Sequence, residues 1–439
     1  MLKAQQLTLA VLVNAALIST AFASEQSESK GFVEDAEGSV LFRTGYLHRD
    51  KKNGVDDTSS FAQTAIVNLD SGFTKGTVGF AAGIIGDASI KLGENAHTGN
   101  DMIPTHGGKD ANGKVDAYDH WARGGAYVKA RISNTTATYG TQLLDIPVLA
   151  SNTARLVPEY YTGVLVESNE INNLNLIAGK FTENQLSNQI NSDGAKLDRA
   201  IVWGAKYKAN DQLNLAYYGT DIKDRLDRHY INANFTQGLA DKSSLTYDLS
   251  AYHTKWDKAA NQYLYSQIGE SNDSFDNSIA ALSTTYNRGP HNVMVAYQQN
   301  FGNTGYDYGL GTNVGDGKQS IYMPNSYLSD FIGNDEKSVQ LQYTYDFGAL
   351  NVPGLSWTSA FVYGWDIKAT NNAGTMISDN EEEREFFNQV KYTVQSGFAK
   401  DASLRLRHSY YRASNNYQNN YIGDTNEWRI WLDIPVKLF

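Results

Sequence analysis

A two-residue rhythm constrains this chain more than any other feature. Between residues 337 and 347, Val339, Leu341, Tyr343, Tyr345 and Phe347 alternate with Ser338, Gln340, Gln342, Thr344 and Asp346. Residues 244–252 set Leu245, Tyr247, Leu249 and Ala251 against Thr246, Asp248, Ser250 and Tyr252. Leu213, Leu215 and Tyr217 likewise oppose Asn214, Ala216 and Tyr218, and Val293, Val295 and Tyr297 share a face. The final segment lines up Trp428, Ile430, Leu432, Ile434, Val436 and Leu438. Successive side chains of a strand point to opposite faces, so these segments read as strands with one apolar and one polar side. No helical 3.6-residue pattern stands out after residue 24.

A soluble sandwich also alternates. Two features favour a membrane barrel instead. Short links such as Ala209-Asn210-Asp211 and Arg288-Gly289-Pro290 alternate with long ones near residues 93–119, 258–276, 301–336, 369–385 and 413–427. Outer-membrane barrels show this pairing of short periplasmic turns with long external loops, whereas long irregular loops are uncommon in compact soluble domains. The last strand also finishes at an aromatic residue, Phe439. The 28 tyrosines suit an amphipathic belt where acyl chains meet headgroups. Between Ser39 and Phe439 there is room for roughly 16 to 18 strands of ~9–11 residues. The fold class expected is therefore all-β, a closed transmembrane antiparallel barrel wide enough to hold water unless loops fold inward. Strand character begins near Ser39, which leaves no plug domain and disfavours an energised receptor.

The chain opens Met1-Leu2-Lys3, continues through an apolar stretch to Ile18 and reaches Ala21-Phe22-Ala23. This pattern predicts a signal peptide over residues 1–23, cleaved after Ala23, with residues 24–439 as one barrel domain. The apolar stretch is shorter than the ~20 residues of a spanning helix. The absence of cysteine excludes disulfides and thiolate chemistry. A net charge of −11 argues against nucleic acid. The eight histidines show no H-E-x-x-H spacing, and no G-x-S-x-G occurs, so no metal, cofactor or catalytic site is expected. The acidic run Asp379 to Glu385 reads as a solvated external loop, sharing divalent ions with lipopolysaccharide.

If the apolar parity faces lipid, the opposite parity faces the pore. Leu404, Leu406, His408 and Tyr410 outside put Arg405 and Arg407 inside, and Trp428 and Ile430 put Arg429 inside. By the same rule Lys129, Arg131, Lys391 and Arg43 point inward. A lysine or arginine facing mid-membrane lipid costs ~2–4 kcal/mol, so the parity is a physical constraint. Closure makes the first and last strands neighbours, so Arg43, Arg405, Arg407 and Arg429 are expected on one wall. Guanidinium groups bind carboxylates bidentately while staying charged, so such a wall would pass anionic groups along. The other reading is structural charge, paired with acids opposite or with loops. Residues 139–168, with Pro147, Arg155 and Pro158, could supply an inward constriction loop.

The sequence resembles the OprD-type family of substrate-specific outer-membrane porins over nearly its whole mature length. The resemblance rests on Gly31-Phe32-Val33-Glu34-Asp35, residues 71–80, Ala178-Gly179-Lys180-Phe181-Thr182-Glu183, Ser329-Asp330-Phe331 and Pro353-Gly354-Leu355. Glu336-Lys337-Ser338, Val394-Gln395-Ser396-Gly397, Ala399-Lys400-Asp401 and Asn426-Glu427-Trp428-Arg429 extend it in order. It implies an 18-stranded pore narrowed by inward loops, with a basic ladder facing acidic loop residues. Arg43, Arg131, Lys391, Arg405, Arg407 and Arg429 match basic positions. Arg155 and Pro158 match the inward third loop, and Ser326 and Asp330 the seventh. Ala360 and Trp365 stand where a family member has arginine and lysine, which would thin the ladder on that wall. The implied function is selective passive uptake of small carboxylate-bearing solutes such as amino acids. The implied partners are outer-membrane lipids, lipopolysaccharide and the barrel-assembly machinery, as a monomer or loose trimer. A general diffusion porin and a barrel enzyme are the competing readings.

Overall fold

The computed structural model describes residues 24–439 except 53, 94–99, 108–114, 194–195, 258–274, 309–319, 372–373 and 419–420. The expected leader, residues 1–23, lies outside the described residues. The strands are β1 Glu37–Lys51, β2 Thr58–Asp70, β3 Val78–Lys91, β4 His120–Ile132, β5 Thr135–Gln142 and β6 Tyr160–Ile171. They continue as β7 Leu174–Gln185, β8 Ala200–Lys208, β9 Leu213–Ile222, β10 Leu226–Gly238, β11 Ser244–Trp256 and β12 Asp276–Arg288. The last six are β13 His291–Gly302, β14 Lys337–Asp346, β15 Leu355–Thr370, β16 Met376–Thr393, β17 Ser403–Ala413 and β18 Thr425–Lys437. Each strand pairs with its neighbours in the sequence, and β1 pairs antiparallel with both β2 and β18. The 18-stranded sheet is therefore closed. Closure satisfies every ladder without leaving an edge, as a lipid environment demands.

Parity separates this sheet from a sandwich. Phe80, Ile84, Val128, Leu282, Val295 and Leu341 stand on the outer surface, more than half exposed, whereas Ser250, Thr254, Ser283, Gln298, Asn300 and Gln340 are buried within. Apolar outside and polar inside is the arrangement lipid stabilises and water does not. Connections at one end are short, from 133–134 to 394–402, while those at the other include 92–119, 143–159 and 303–336.

One expected loop is a strand. Residues 369–385 were expected to be irregular, but only 371–375 connect β15 to β16, and β16 runs for 18 residues. The acidic run is thus part of the barrel wall. Alternation turns Glu381, Glu383 and Glu385 inward, where all three are buried. Charge density suggested solvation, but the lumen supplies donors of its own: Glu385 accepts backbone amides and Glu381 accepts from Ser414 and Asn416.

The third loop (143–159) and seventh loop (303–336) fold inward. Leu144, Ile146, Val148 and Leu149 pack with Tyr218, Tyr230 and Tyr252 of the wall. Leu156 and Val157 cluster with Leu47 and Trp431, and Tyr327 and Phe331 with Ala360, Val362 and Phe387. Inward apolar wall residues are thus covered by loops, while the outward ones meet lipid.

Candidate functional site

Four antiparallel strands, β16, β17, β18 and β1, bring the basic residues together. On the inner face, Lys391 stands opposite Arg405, and Arg405 opposite Trp431. Two residues further toward the long-loop end, Arg407 stands between Gln389 and Arg429. At the short-turn side, Arg43 faces Asp433. Like charges directly across a strand pair repel, so Arg407 and Arg429 share a row only because each has local compensation. Arg407 lies over the Phe387 ring at 5.0 Å, and Arg429 donates Nε to Glu427 Oε1.

The six expected basic residues divide by environment. Arg43 and Arg429 are buried, whereas Arg405, Arg407 and Lys391 are half-buried. Arg43 forms a bidentate pair with Asp433, at 2.7 and 3.0 Å, and donates Nη1 to the Arg155 carbonyl at 3.2 Å. Arg429 donates Nη1 to the Ala154 carbonyl at 3.4 Å. Both therefore hold the third loop against the wall. Arg405 reaches Asp433 at 4.0 Å. Arg131 sits apart, on β4 at the short-turn end, where it binds Gln26 Oε1 at 3.1 Å and Ser29 Oγ at 2.6 Å. It tethers the first residues of the described chain and does not join the other five.

The third loop fits because the wall leaves room. Gly45 faces inward between Trp431 and Leu156, and a Cβ there would collide with the Trp431 ring. Arg155 is fully buried and donates Nε to the Asn100 carbonyl at 2.8 Å. The Pro158 carbonyl accepts from Arg123 Nη2, and Arg123 also pairs with Asp87 at 2.9 Å. Neither Arg123 nor Asp87 was singled out from sequence, nor was Arg228, which donates to the carbonyls of Tyr308 and Asp307. Their inward parity was readable. What was missing is the loop backbone that each guanidinium meets.

Ser326 and Asp330 lie together in the seventh loop. Asp330 accepts hydrogen bonds from the Ser326 hydroxyl on Oδ1 and from the Tyr308 hydroxyl on Oδ2. Burial pushes the Asp330 carboxyl up to about 8, with Glu385 and Glu383 adding to the shift and Arg429 and Arg155 opposing it. At neutral pH the group is therefore mostly protonated, and it is half ionised near pH 8. In the third loop, burial likewise pushes the Glu159 carboxyl up to about 8. That group accepts the Asn152 amide at 3.0 Å.

The two departures resolve differently. Ala360 does face the lumen, opposite Phe387, but it is covered by Tyr327 and Phe331. Seventh-loop aromatics occupy the space an arginine would need. Trp365 is not a pore residue. It shares the outward parity of Phe361 and stacks with Tyr363 at 5.9 Å in the lipid-facing aromatic belt. A missing lysine there removes nothing from the ladder.

The sequence pattern of the OprD family of outer membrane porins matches residues 30–438. This chain belongs to that family. It is 34% identical to Porin D of Pseudomonas aeruginosa over 440 aligned positions, covering 96% of this chain and 95% of the relative. The crystal structure of Acinetobacter baumannii OccAB1 shares 64% identity, with a TM-score of 0.89 over 95% of this chain and all of that one. The structure of Pseudomonas aeruginosa OpdK with vanillate shares 27% identity, with a TM-score of 0.78 over 93% of this chain and all of that one. The protein is thus a porin of the Gram-negative outer membrane.

Proposed function

We propose that this porin is a selective channel for small carboxylate-bearing solutes such as amino acids. The observation that carries the reading is the half-buried trio Lys391, Arg405 and Arg407 on adjacent strands, the first two sharing one inner row and Arg407 in the next. A carboxylate reaching the constriction meets a guanidinium at each step, and each contact is wet enough to release it, as successive weak sites require. Arg43 and Arg429 contribute mainly by fixing the third loop. Arg155, Pro158, Ser326 and Asp330 define the opposing loops, and Arg131 braces the exit. Vanillate, found with the relative OpdK, is itself a small carboxylate, which supports the substrate class.

The reading takes residues 1–23 as a signal peptide cleaved after Ala23. The mature barrel is inserted by the assembly machinery and surrounded by lipid and lipopolysaccharide, as a monomer or loose trimer. It is a channel with no reaction of its own. Reconstitution in liposomes with a panel of amino acids, organic acids and neutral sugars of matched size tests the reading. Flux that follows size alone, whatever the charge, would make it a general diffusion porin.

A further inference from the structure

The seventh loop is held to the wall from two sides. From β13, Gln298 donates Nε2 to the carbonyls of Asp330 at 3.0 Å and Phe331 at 2.8 Å. From β16, Glu385 accepts the Leu328 amide at 3.1 Å on each oxygen and the Ser329 amide at 3.0 Å on Oε2. Strands β14 and β15 lie between, so residues 328–331 are stretched across them. Tyr327 anchors the near edge by stacking on Phe387, with ring centroids 4.2 Å apart and planes inclined by 19°. The returning end of the loop is seated too: Glu336 enters a notch at Gly364, where a Cβ would collide with its carboxyl oxygen.

We propose that Glu385 is a positioning residue for the constriction: its carboxylate holds the 328–331 backbone flat and so sets the pore's cross-section and the placement of Asp330. A carboxylate suits this task because both of its oxygens accept, and bonds from backbone amides to a charged acceptor are about twice as strong as neutral ones. Glutamine at this position would turn one acceptor into a donor facing the Leu328 and Ser329 amides. The barrel itself does not depend on this contact, since residues 383–393 of β16, Glu385 among them, pair with β17 and residues 383–392 pair with β15 in register. Losing the contact removes one of the loop's two side tethers, leaving Gln298 to hold residues 330–331, and leaves the wall standing. The effect on substrate preference rests on the channel reading above, whereas the effect on conductance does not.

The test compares wild type, Glu385→Gln, Glu385→Asp and Glu381→Gln in planar bilayers and in liposomes. Glu381 is the control, because it faces inward on the same strand but binds Ser414 and Asn416 of the ninth loop (414–424). Glu385→Gln is expected to raise single-channel conductance by about 1.5-fold or more, with faster current flicker, and to lower the carboxylate-to-neutral flux ratio at least about threefold. The temperature of heat-modifiable gel mobility should stay at the wild-type value, a separation that a merely structural role would not give. If Glu385→Gln does not assemble, Glu385→Asp keeps the charge while falling short of the amides, and the same rise in conductance is expected. Wild-type conductance in a folded Glu385 variant overturns the proposal. So does an equal rise in Glu381→Gln. A wild type that shows no carboxylate preference, with conductance still rising in Glu385→Gln, sinks the substrate reading and leaves the positioning role intact.

Discussion

Replacing Arg407 by glutamine separates a transport role from a loop-holding one. Coulomb's law gives about 1 kcal/mol for unit charges 4 Å apart in water and about 4 kcal/mol at an effective dielectric constant of 20. Arg407 is half-buried on a wall facing the pore, so the lower end applies. Arg405 remains close by and would share a passing carboxylate, whereas Arg429 is buried against Glu427. A loss of about 1 kcal/mol corresponds to about a fivefold slower carboxylate flux. A neutral sugar of similar size should be slowed by less than about twofold, since it gains little from a full charge. Proteoliposomes loaded with one anionic amino acid and one neutral sugar measure both fluxes, and single-channel recording measures the opening. Wild-type preference should also shrink as salt rises from 0.1 M to 1 M, because the screening length falls from about 10 Å to about 3 Å. The contrary result is specific. If Arg407→Gln enlarges conductance and speeds both solutes equally, the guanidinium only restrains loops, and the electrostatic track is wrong.

Three further outcomes follow from the geometry. Between pH 7 and pH 9, Asp330 should ionise and raise the cation-to-anion permeability ratio read from reversal potentials, and Asp330→Asn should flatten that rise; an undiminished rise in the variant would place the titration elsewhere, Glu159 included. Because the folded carboxyl sits above its ordinary value of 3.8, the native state holds a proton the unfolded chain releases, so this group's contribution to stability falls as pH climbs from about 4 to about 8. Asp87→Asn leaves the buried Arg123 guanidinium without its carboxylate, a change that costs about 3–5 kcal/mol when nothing else compensates. The Pro158 and Leu186 carbonyls offset part of it, and the expected readout is a lower temperature of heat-modifiable mobility; an unshifted temperature would mean those carbonyls suffice. Gly45→Val should displace Trp431 and Leu156 and so unseat the third loop, changing conductance without abolishing the barrel, and wild-type conductance would show that the wall yields instead.

The barrel was legible because its physics is local. Leu341 and Gln340 differ by one position and face lipid and lumen, so one residue of alternation decides the side. The same rule placed Arg43, Arg405, Arg407 and Arg429 on one wall once closure made β1 and β18 neighbours. What the rule lacks is any account of what enters the lumen. It puts Ala360 and Trp365 on opposite faces, which the family resemblance did not, but says nothing of the loop aromatics that cover Ala360. It left Arg123 and Arg228 unremarked, because a guanidinium that meets a loop carbonyl has the same parity as one that meets a solute.

That limit explains why the acidic run was misjudged. Seven residues holding five acids look solvated on any local scale, since ionised carboxylates are rarely fully buried without partners. For Glu385 the partners exist, but they come from distant sequence: the amides of Leu328 and Ser329 lie more than fifty residues away. A strand may carry buried acids wherever a returning loop offers backbone donors, and a returning loop has donors to offer because its own backbone forms no ladder. Inward arginines answer the other half of the same need by donating to loop carbonyls, as Arg43, Arg123 and Arg228 do. The charges lining this lumen therefore divide by what they meet. Those facing loop backbone hold the inward loops in place, and Lys391, Arg405 and Arg407, half-buried beside them, are the ones we propose to meet a passing solute.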